Sequence, residues 1–397
     1  MNREDFPMLN SNIIYFDNAA TTFKPKKVID EMVNYYENYS VNAHRSDYHL
    51  STKVDEIYEG VRDKTRKFIN AGNDSEIVFT SGATESINVI TNGYLKYHLK
   101  KGDEILVTKS EHASLLLPLY HMVEEIGVVI KYIPLDDEYK LTVDNVKKSI
   151  TSKTKVIAIA HVSNVIGDIR PIRQICEIAS GYKIITLIDG TQAVPHMKIN
   201  VRDLDVSFYV FSAHKMYGPT GVGVLYGKFE ILDNLIPCKL GGGMNATFYS
   251  DGVIEYKDLP ERLEAGTQNI AGIIGLGAAI DYISDIGLNK IEKYEKELAD
   301  YAVEKLKGLN NITIYNDNPD SSIITFNMED IFSQDLAIYL DKYNICVRAG
   351  SHCAKILKDD IGIKNTCRIS LSFYNSKEEI DSLIKALSNK NILKELV

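Results

Sequence analysis

Short apolar, β-branched runs recur along the chain as EIVFT (76–80), EILVT (104–108), KVIAIAHVS (155–163), ITLIDG (185–190) and DVSFYVFSA (205–213), separated by helical stretches. Several are apolar throughout rather than alternating, the pattern of strands buried on both faces. Strand–helix–strand repetition of this kind predicts a mostly parallel sheet with right-handed crossovers, an α/β fold. Upstream, KKVIDEMVNYYENY after the turn-forming Lys24-Pro25, and then TKVDEIYEGVRDKTRKFI, carry apolar residues at helical spacing.

The pattern changes after about residue 285. A long charged helix, KIEKYEKELADYAVEKLKGL, leads into NITIYND, SSIITFNM, a helix at SQDLAIYLDKY, then ICVRAG, TCRISL and a last helix near SKEEIDSLIKAL. This reads as a smaller α+β unit with a few antiparallel strands. The expected organisation is an N-terminal arm (1–24) packing near the small domain, a large domain (25–285) and a small C-terminal domain (286–397).

Charge and cysteine usage narrow the function classes. A net charge of −9 argues against nucleic acid or an anionic membrane surface as the main partner. The N-terminus, MNREDFPMLN, carries no signal-peptide core, and no apolar run is long enough to cross a bilayer. Five cysteines, odd in number and without a C-x-x-C pair, argue against a disulfide framework or a tetrahedral zinc site. A cytoplasmic protein without a metal site is expected.

In an open parallel sheet, ligands bind outside the carboxyl ends of the strands, and four such places carry polar chemistry. After EIVFT, the turn Ser81-Gly82-Ala83-Thr84 opens a helix whose N-terminus suits a phosphate, though Ser and Thr are also ordinary caps there. Asp189 ends ITLIDG, where an acid suits a metal, a ribose, a protonated ring nitrogen or a simple cap; no cluster of carboxylates and histidines beside it favours the metal. Lys215 follows a strand expected to run beside that of Asp189, flanked by Ser212 and His214. Alone it reads as a solvated lysine. Beside an acid and a phosphate-type helix start, it becomes a lysine able to hold a pyridine cofactor covalently. His112, just beyond EILVT, reads alone as a structural histidine and in this company as a ring stacked on a flat cofactor. Cys346 and Cys367 fall in apolar strands, whereas Cys353 lies in the polar loop of Gly350, Ser351 and His352, a setting that favours a reactive thiolate.

YFDNAATT, TESIN, the EH of SEHAS, HVSNVIG, DGTQAV, FSAHKMYGPTGVGVLYG, LGGGM, EAGTQN, IIGLGAAI, VRAGSHCA and CRISLSFYN occur in this order along most of the chain. Together they resemble the class V aminotransferase group of fold type I pyridoxal-phosphate enzymes, closest to the group II cysteine desulfurases and selenocysteine lyases. The resemblance implies that Lys215 carries the cofactor and shuttles the substrate Cα proton, and that Asp189 partners the pyridinium nitrogen. It places Gln192 and Asn164 near the ring hydroxyl, His112 over the ring, and Thr84, Ser212 and His214 on the phosphate. Thr267 would reach the phosphate from a second subunit, which makes a homodimer with shared active sites part of the expectation. Arg368 would pair the substrate carboxylate, with Arg348 and Asn164 lining the same pocket, and Cys353 would be the sulfur-accepting thiol. The implied activity is desulfuration of L-cysteine to L-alanine, with a persulfide passed from Cys353 to an acceptor protein, as in iron–sulfur cluster assembly. The alternatives are a selenocysteine lyase or a related lyase of the family, and a non-catalytic cofactor-binding protein.

The chain departs from the family pattern at Ala83, at Ala113-Ser114, at Ser351 before His352, across NAHRSDYHLS (42–51), and in KILKDDIG, which lacks the expected proline.

Overall fold

The computed structural model describes residues 3–44, 46–360, 362–389 and 391–395; Arg45, within the divergent 42–51 segment, lies outside them. A seven-stranded sheet runs, edge to edge, Ile77–Thr80, Gly223–Gly227, Phe208–Ser212, Ile185–Asp189, Thr154–Ala160, Glu104–Thr108 and Val129–Ile133. Every neighbouring pair is parallel except the two made by Gly223–Gly227, which runs antiparallel to both neighbours. The expected mostly parallel sheet is therefore present, with one reversed strand inserted.

Alternate residues of each strand feed opposite cores. Leu106, Ile157, Ile159, Ile188, Tyr209 and Phe211 face one side, where helices His49–Phe68 and Ile270–Ile286 pack. Ile105, Val107, Val156, Leu187, Phe208 and Val210 face the other, against Ala83–Ile90 and Ala113–Ile126. This two-sided burial is why the strands read as continuous apolar runs rather than as alternating ones.

A second, antiparallel sheet has the order Ile312–Ile314, Ile323–Met328, Thr366–Ser370, Arg348–Gly350. Helices Leu288–Lys307, Ser333–Asp341 and Lys377–Leu387 cover it, and Leu298, Ile324, Phe326, Tyr339, Ile369 and Leu383 form its core. The N-terminal segment joins the two cores. Ile14–Tyr15 pairs in parallel with Ile345–Cys346, and Phe16 is buried in the smaller core. Phe6 instead packs in the larger one, against Tyr217, Tyr282, Phe373 and Tyr374. Among the described residues, no single helix is long and apolar enough to cross a membrane.

Candidate active site

One cavity of about 250 Å³ opens at the carboxyl ends of the parallel strands. Eleven of the twelve site residues expected from sequence line it: Lys215, Asp189, His112, Gln192, Asn164, Thr84, Ser212, His214, Arg348, Arg368 and Cys353. They come from segments more than two hundred residues apart in the chain, so the fold alone assembles them.

Asp189 is the last residue of its strand and sits beside Val210 of the next. That strand ends at Ser212 and continues into the single turn Ala213–Lys215, which brings Lys215 to the same rim as Asp189. The N-terminal segment braces this turn. Thr22 N, Thr21 Oγ1 and Lys24 Nζ all donate to the His214 carbonyl, at 3.1, 3.0 and 2.9 Å. Beneath it, Gly190 lies against Tyr209, so closely that a Cβ there would stand 2.0 Å from the ring. Gly223 lets the reversed strand approach Gly82, whose Cα would be 2.4 Å from any added Cβ. Across that close approach, Ala83 N at the start of its helix donates to Ser212 Oγ at 2.8 Å.

Electrostatics follow from burial. The Lys215 amine is pushed down to about 8, chiefly by desolvation, with Asp189 opposing the shift and Arg368 and Arg348 reinforcing it. His112 falls to about 4 through burial, helped by Lys215, and is neutral at pH 7. Its Nδ1 accepts from Ser114 N at 3.1 Å as it caps Ala113–Ile126, so the ring proton sits on Nε2. Glu111, the preceding residue, is fully buried. It accepts from Ala160 N at 2.8 Å and Thr108 Oγ1 at 2.6 Å, and pairs with Arg170. That network fixes the loop from which His112 projects. His214 also falls to about 4, through burial and then the Lys215 and Lys24 charges.

Arg368 Nη1 donates to the Asn164 carbonyl at 2.9 Å and Nη2 to Asp17 Oδ1 at 2.8 Å, while buried Nε makes no hydrogen bond among the described residues. Arg348 stands 3.7 Å from the other Asp17 oxygen. Asp17, from YFDNAATT, faces both arginines, and the arm places it there by bridging to Ser370. Cys353 is exposed to the cavity at the end of a strained turn, with His352 at φ 53° and Cys353 at φ 57°. The turn is tied to the large sheet from two directions: Asn164 Nδ2 donates to the His352 carbonyl at 2.7 Å, and Ala113 N to the Cys353 carbonyl at 2.8 Å.

Thr267 is elsewhere. It is exposed, accepts from Asn42 Nδ2 at 3.3 Å, and lines a separate cavity of about 160 Å³ with Ser81, Glu85 and Lys239.

A family model described as "Aminotransferase class-V" matches residues 14–383. The chain belongs to the class V aminotransferase family. It is a pyridoxal-phosphate-dependent enzyme. A "Probable cysteine desulfurase" of Halalkalibacterium halodurans is 44% identical over 387 residues, covering 96% of this chain and 95% of the relative. A "Cysteine desulfurase" of Wigglesworthia glossinidia brevipalpis is 42% identical over 391 residues, covering 97% and 95%. Among solved structures, the cysteine desulfurase CsdA of Escherichia coli superposes with a TM-score of 0.93 at 35% identity, covering 100% of this chain and 98% of that one. An apo cysteine desulfurase from Thermococcus onnurineus NA1 also gives 0.93, at 38% identity over 97% and 96%.

The residues present fit pyridoxal phosphate. Among the described residues, the cavity holds an amine with no carboxylate hydrogen bond, an acid at the neighbouring strand end, and a helix start suited to a phosphate. Asp189 Oδ1 accepts from Thr191 N at 3.0 Å, and Thr191 also lines the cavity, its buried hydroxyl having no partner among the described residues. Gln192 lines the cavity and donates one amide hydrogen to the Ala19 carbonyl at 2.8 Å, which leaves its second N–H and its oxygen for a ligand.

Proposed function

We propose that this enzyme is a cysteine desulfurase that converts L-cysteine to L-alanine and takes the sulfur on Cys353 as a persulfide. The observation that carries this reading is an exposed thiol on a strained turn in the same cavity as Lys215, Asp189 and two arginines. Identities of 42–44% to cysteine desulfurases along nearly the whole chain support it.

Lys215 would hold the cofactor, Asp189 its ring nitrogen, His112 its face, and Thr84, Ser212 and His214 its phosphate, with Gln192 and Asn164 beside the ring hydroxyl. Bound pyridoxal phosphate supplies an electron-withdrawing ring that acidifies the Cα proton of an attached amino acid. Arg368 receives the substrate carboxylate, using guanidinium donors not spent on Asn164 and Asp17. Lys215 Nζ takes the Cα proton; a depressed amine pKa near the working pH suits that task. The Cys353 thiolate then attacks the substrate sulfur. A sulfur–sulfur bond forms as the substrate Cβ–S bond breaks, and the carbon fragment keeps the electron pair, takes up a proton and leaves as alanine. A thiol reductant or an acceptor protein removes the persulfide sulfur and restores Cys353. Thr267, outside this cavity, is read as reaching the phosphate site of a second copy, which makes the working form a homodimer. Supply of sulfur for iron–sulfur clusters in the cytoplasm belongs to the same reading.

Purified enzyme given L-cysteine is expected to release alanine. Without reductant a burst of about one alanine per chain should appear, and with dithiothreitol there should be continuous turnover with sulfide. Cofactor-loaded protein that makes no alanine would remove the desulfurase reading and leave the family unaffected. Arg368→Lys keeps the charge and loses the fork. It is expected to raise KM for cysteine about ten- to a hundredfold, the worth of one or two charge-assisted hydrogen bonds, with a smaller change in kcat. Steady-state kinetics check this, and an unchanged KM would assign the carboxylate elsewhere.

A further inference from the structure

Two of the chain's departures from the family pattern, Ala83 and Ser114, meet at the end of the cavity assigned above to the phosphate. Each stands in the first turn of a helix: Ala83 and Thr84 open Ala83–Ile90, and Ser114 is the second residue of Ala113–Ile126. The two helices share one core, Ile87 and Ile90 from the first and Leu115 and Leu119 from the second, which holds their opening turns side by side. Ala83 brings no hydroxyl to this place. Ser114 brings one, and its Oγ stands 2.8 Å from Thr84 Oγ1 and 3.0 Å from His112 Nδ1. All four residues line the cavity. The chemistry above uses Thr84 and His112 and gives the Ser114 side chain no part.

The direction of these bonds follows from counting donors. Ser114 N–H already donates to His112 Nδ1 at 3.1 Å, so that ring atom is supplied. The Ser114 hydroxyl has one proton to give, and its two neighbours able to take it are His112 Nδ1 and Thr84 Oγ1. A phosphate dianion beside Thr84 decides between them. It only accepts, so it draws the threonine proton, and Thr84 Oγ1 is then free to accept the proton of Ser114. Nδ1 keeps the backbone N–H throughout, and no donor is wasted. The charge-assisted bond from Thr84 gains from the hydroxyl behind it, since bonds in such a chain polarise one another.

We propose that Ser114 is a positioning residue for the cofactor: its hydroxyl donates to Thr84 Oγ1, turns the threonine proton onto the phosphate, and ties that contact to the turn that carries His112. The inference rests on the reading above, which assigns Thr84 to the phosphate and His112 to the ring.

The test titrates the full-length apo-protein with pyridoxal phosphate and, separately, with pyridoxal, which has the same ring and aldehyde without the phosphate. Binding is read from the visible absorbance of the covalently held ring. Ser114→Ala should weaken pyridoxal phosphate about fivefold, the worth of one hydrogen bond, and leave pyridoxal within about twofold of wild type. Ser114→Thr, which keeps the hydroxyl, should hold both ligands as wild type does. In a Thr84→Val background, Ser114→Ala should add less than about twofold, because the hydroxyl has lost the oxygen through which it acts. The ³¹P signal of bound cofactor should shift in Ser114→Ala and return in Ser114→Thr. Equal weakening of both ligands would make Ser114 a ring or folding contact and overturn the proposal. Unchanged binding of pyridoxal phosphate in Ser114→Ala, or losses that add in full in the double variant, would overturn it as well. Thr84→Val that binds pyridoxal phosphate as tightly as wild type would instead remove the assignment of Thr84, and the inference with it, so the two failures are distinguishable.

Discussion

Lys215→Met is expected to bind pyridoxal phosphate only weakly, lose the visible absorbance of the covalently held cofactor, and drop at least about a thousandfold in kcat/KM, the scale of a positioned general base. The methionine keeps the aliphatic stem in place, so the loss isolates the amine. Absorbance after gel filtration and steady-state alanine release measure both parts. Retained covalent absorbance, or activity within tenfold of wild type, would move the cofactor lysine elsewhere. The apo-protein should behave in the opposite way. Because the folded pKa of Lys215 lies near 8, below its ordinary 10.5, the unfolded chain binds its proton more tightly. Burying that ammonium therefore lowers stability most below pH 8, and the penalty fades as pH rises through 10.5. Apo Lys215→Met should melt above apo wild type at pH 7, with the gap closing at alkaline pH.

That lysine was legible in the sequence because three weak signals lay at strand ends that a parallel sheet must bring together. Asp189, Lys215 and the Ala83 helix start are each ordinary alone. The strand pairing that places Asp189 beside Val210 turns their spacing into a site. The reversed strand Gly223–Gly227 was harder to read, since its glycines, one of them needed for the close approach to Gly82, mimic a loop. Asp17 was hidden for another reason. Its work is to align Arg348 and Arg368, and a contact across some 350 positions leaves no local pattern. Lys358 was misleading in the opposite way. In KILKDDIG it looks like a solvated charge on a short helix, and only the packing of that helix beneath the Cys353 turn buries it. Periodicity reports which face of an element is apolar; it does not report that one polar side chain on it has been enclosed.

Cys353→Ser is the change expected to separate cofactor chemistry from sulfur transfer. The thiol is exposed and its turn already holds residues at positive φ, so serine should cost at most about 0.5 kcal/mol of stability. Cofactor loading and the spectral response to cysteine should persist, because Lys215, Asp189, His112 and Arg368 are untouched. Alanine release from cysteine should fall at least about a thousandfold, since an un-ionised serine hydroxyl is a far weaker nucleophile toward sulfur than a thiolate. Mass spectrometry after single turnover should find an added sulfur on wild type and none on the variant. Selenocysteine provides the contrast: its weaker carbon–selenium bond makes nucleophilic capture less necessary, so the variant should retain much more of that activity. Equal loss with both substrates would give Cys353 a role before sulfur transfer. Equal retention with both would make the enzyme a lyase that needs no persulfide, and the strained turn would then have to be explained by something other than nucleophilic attack.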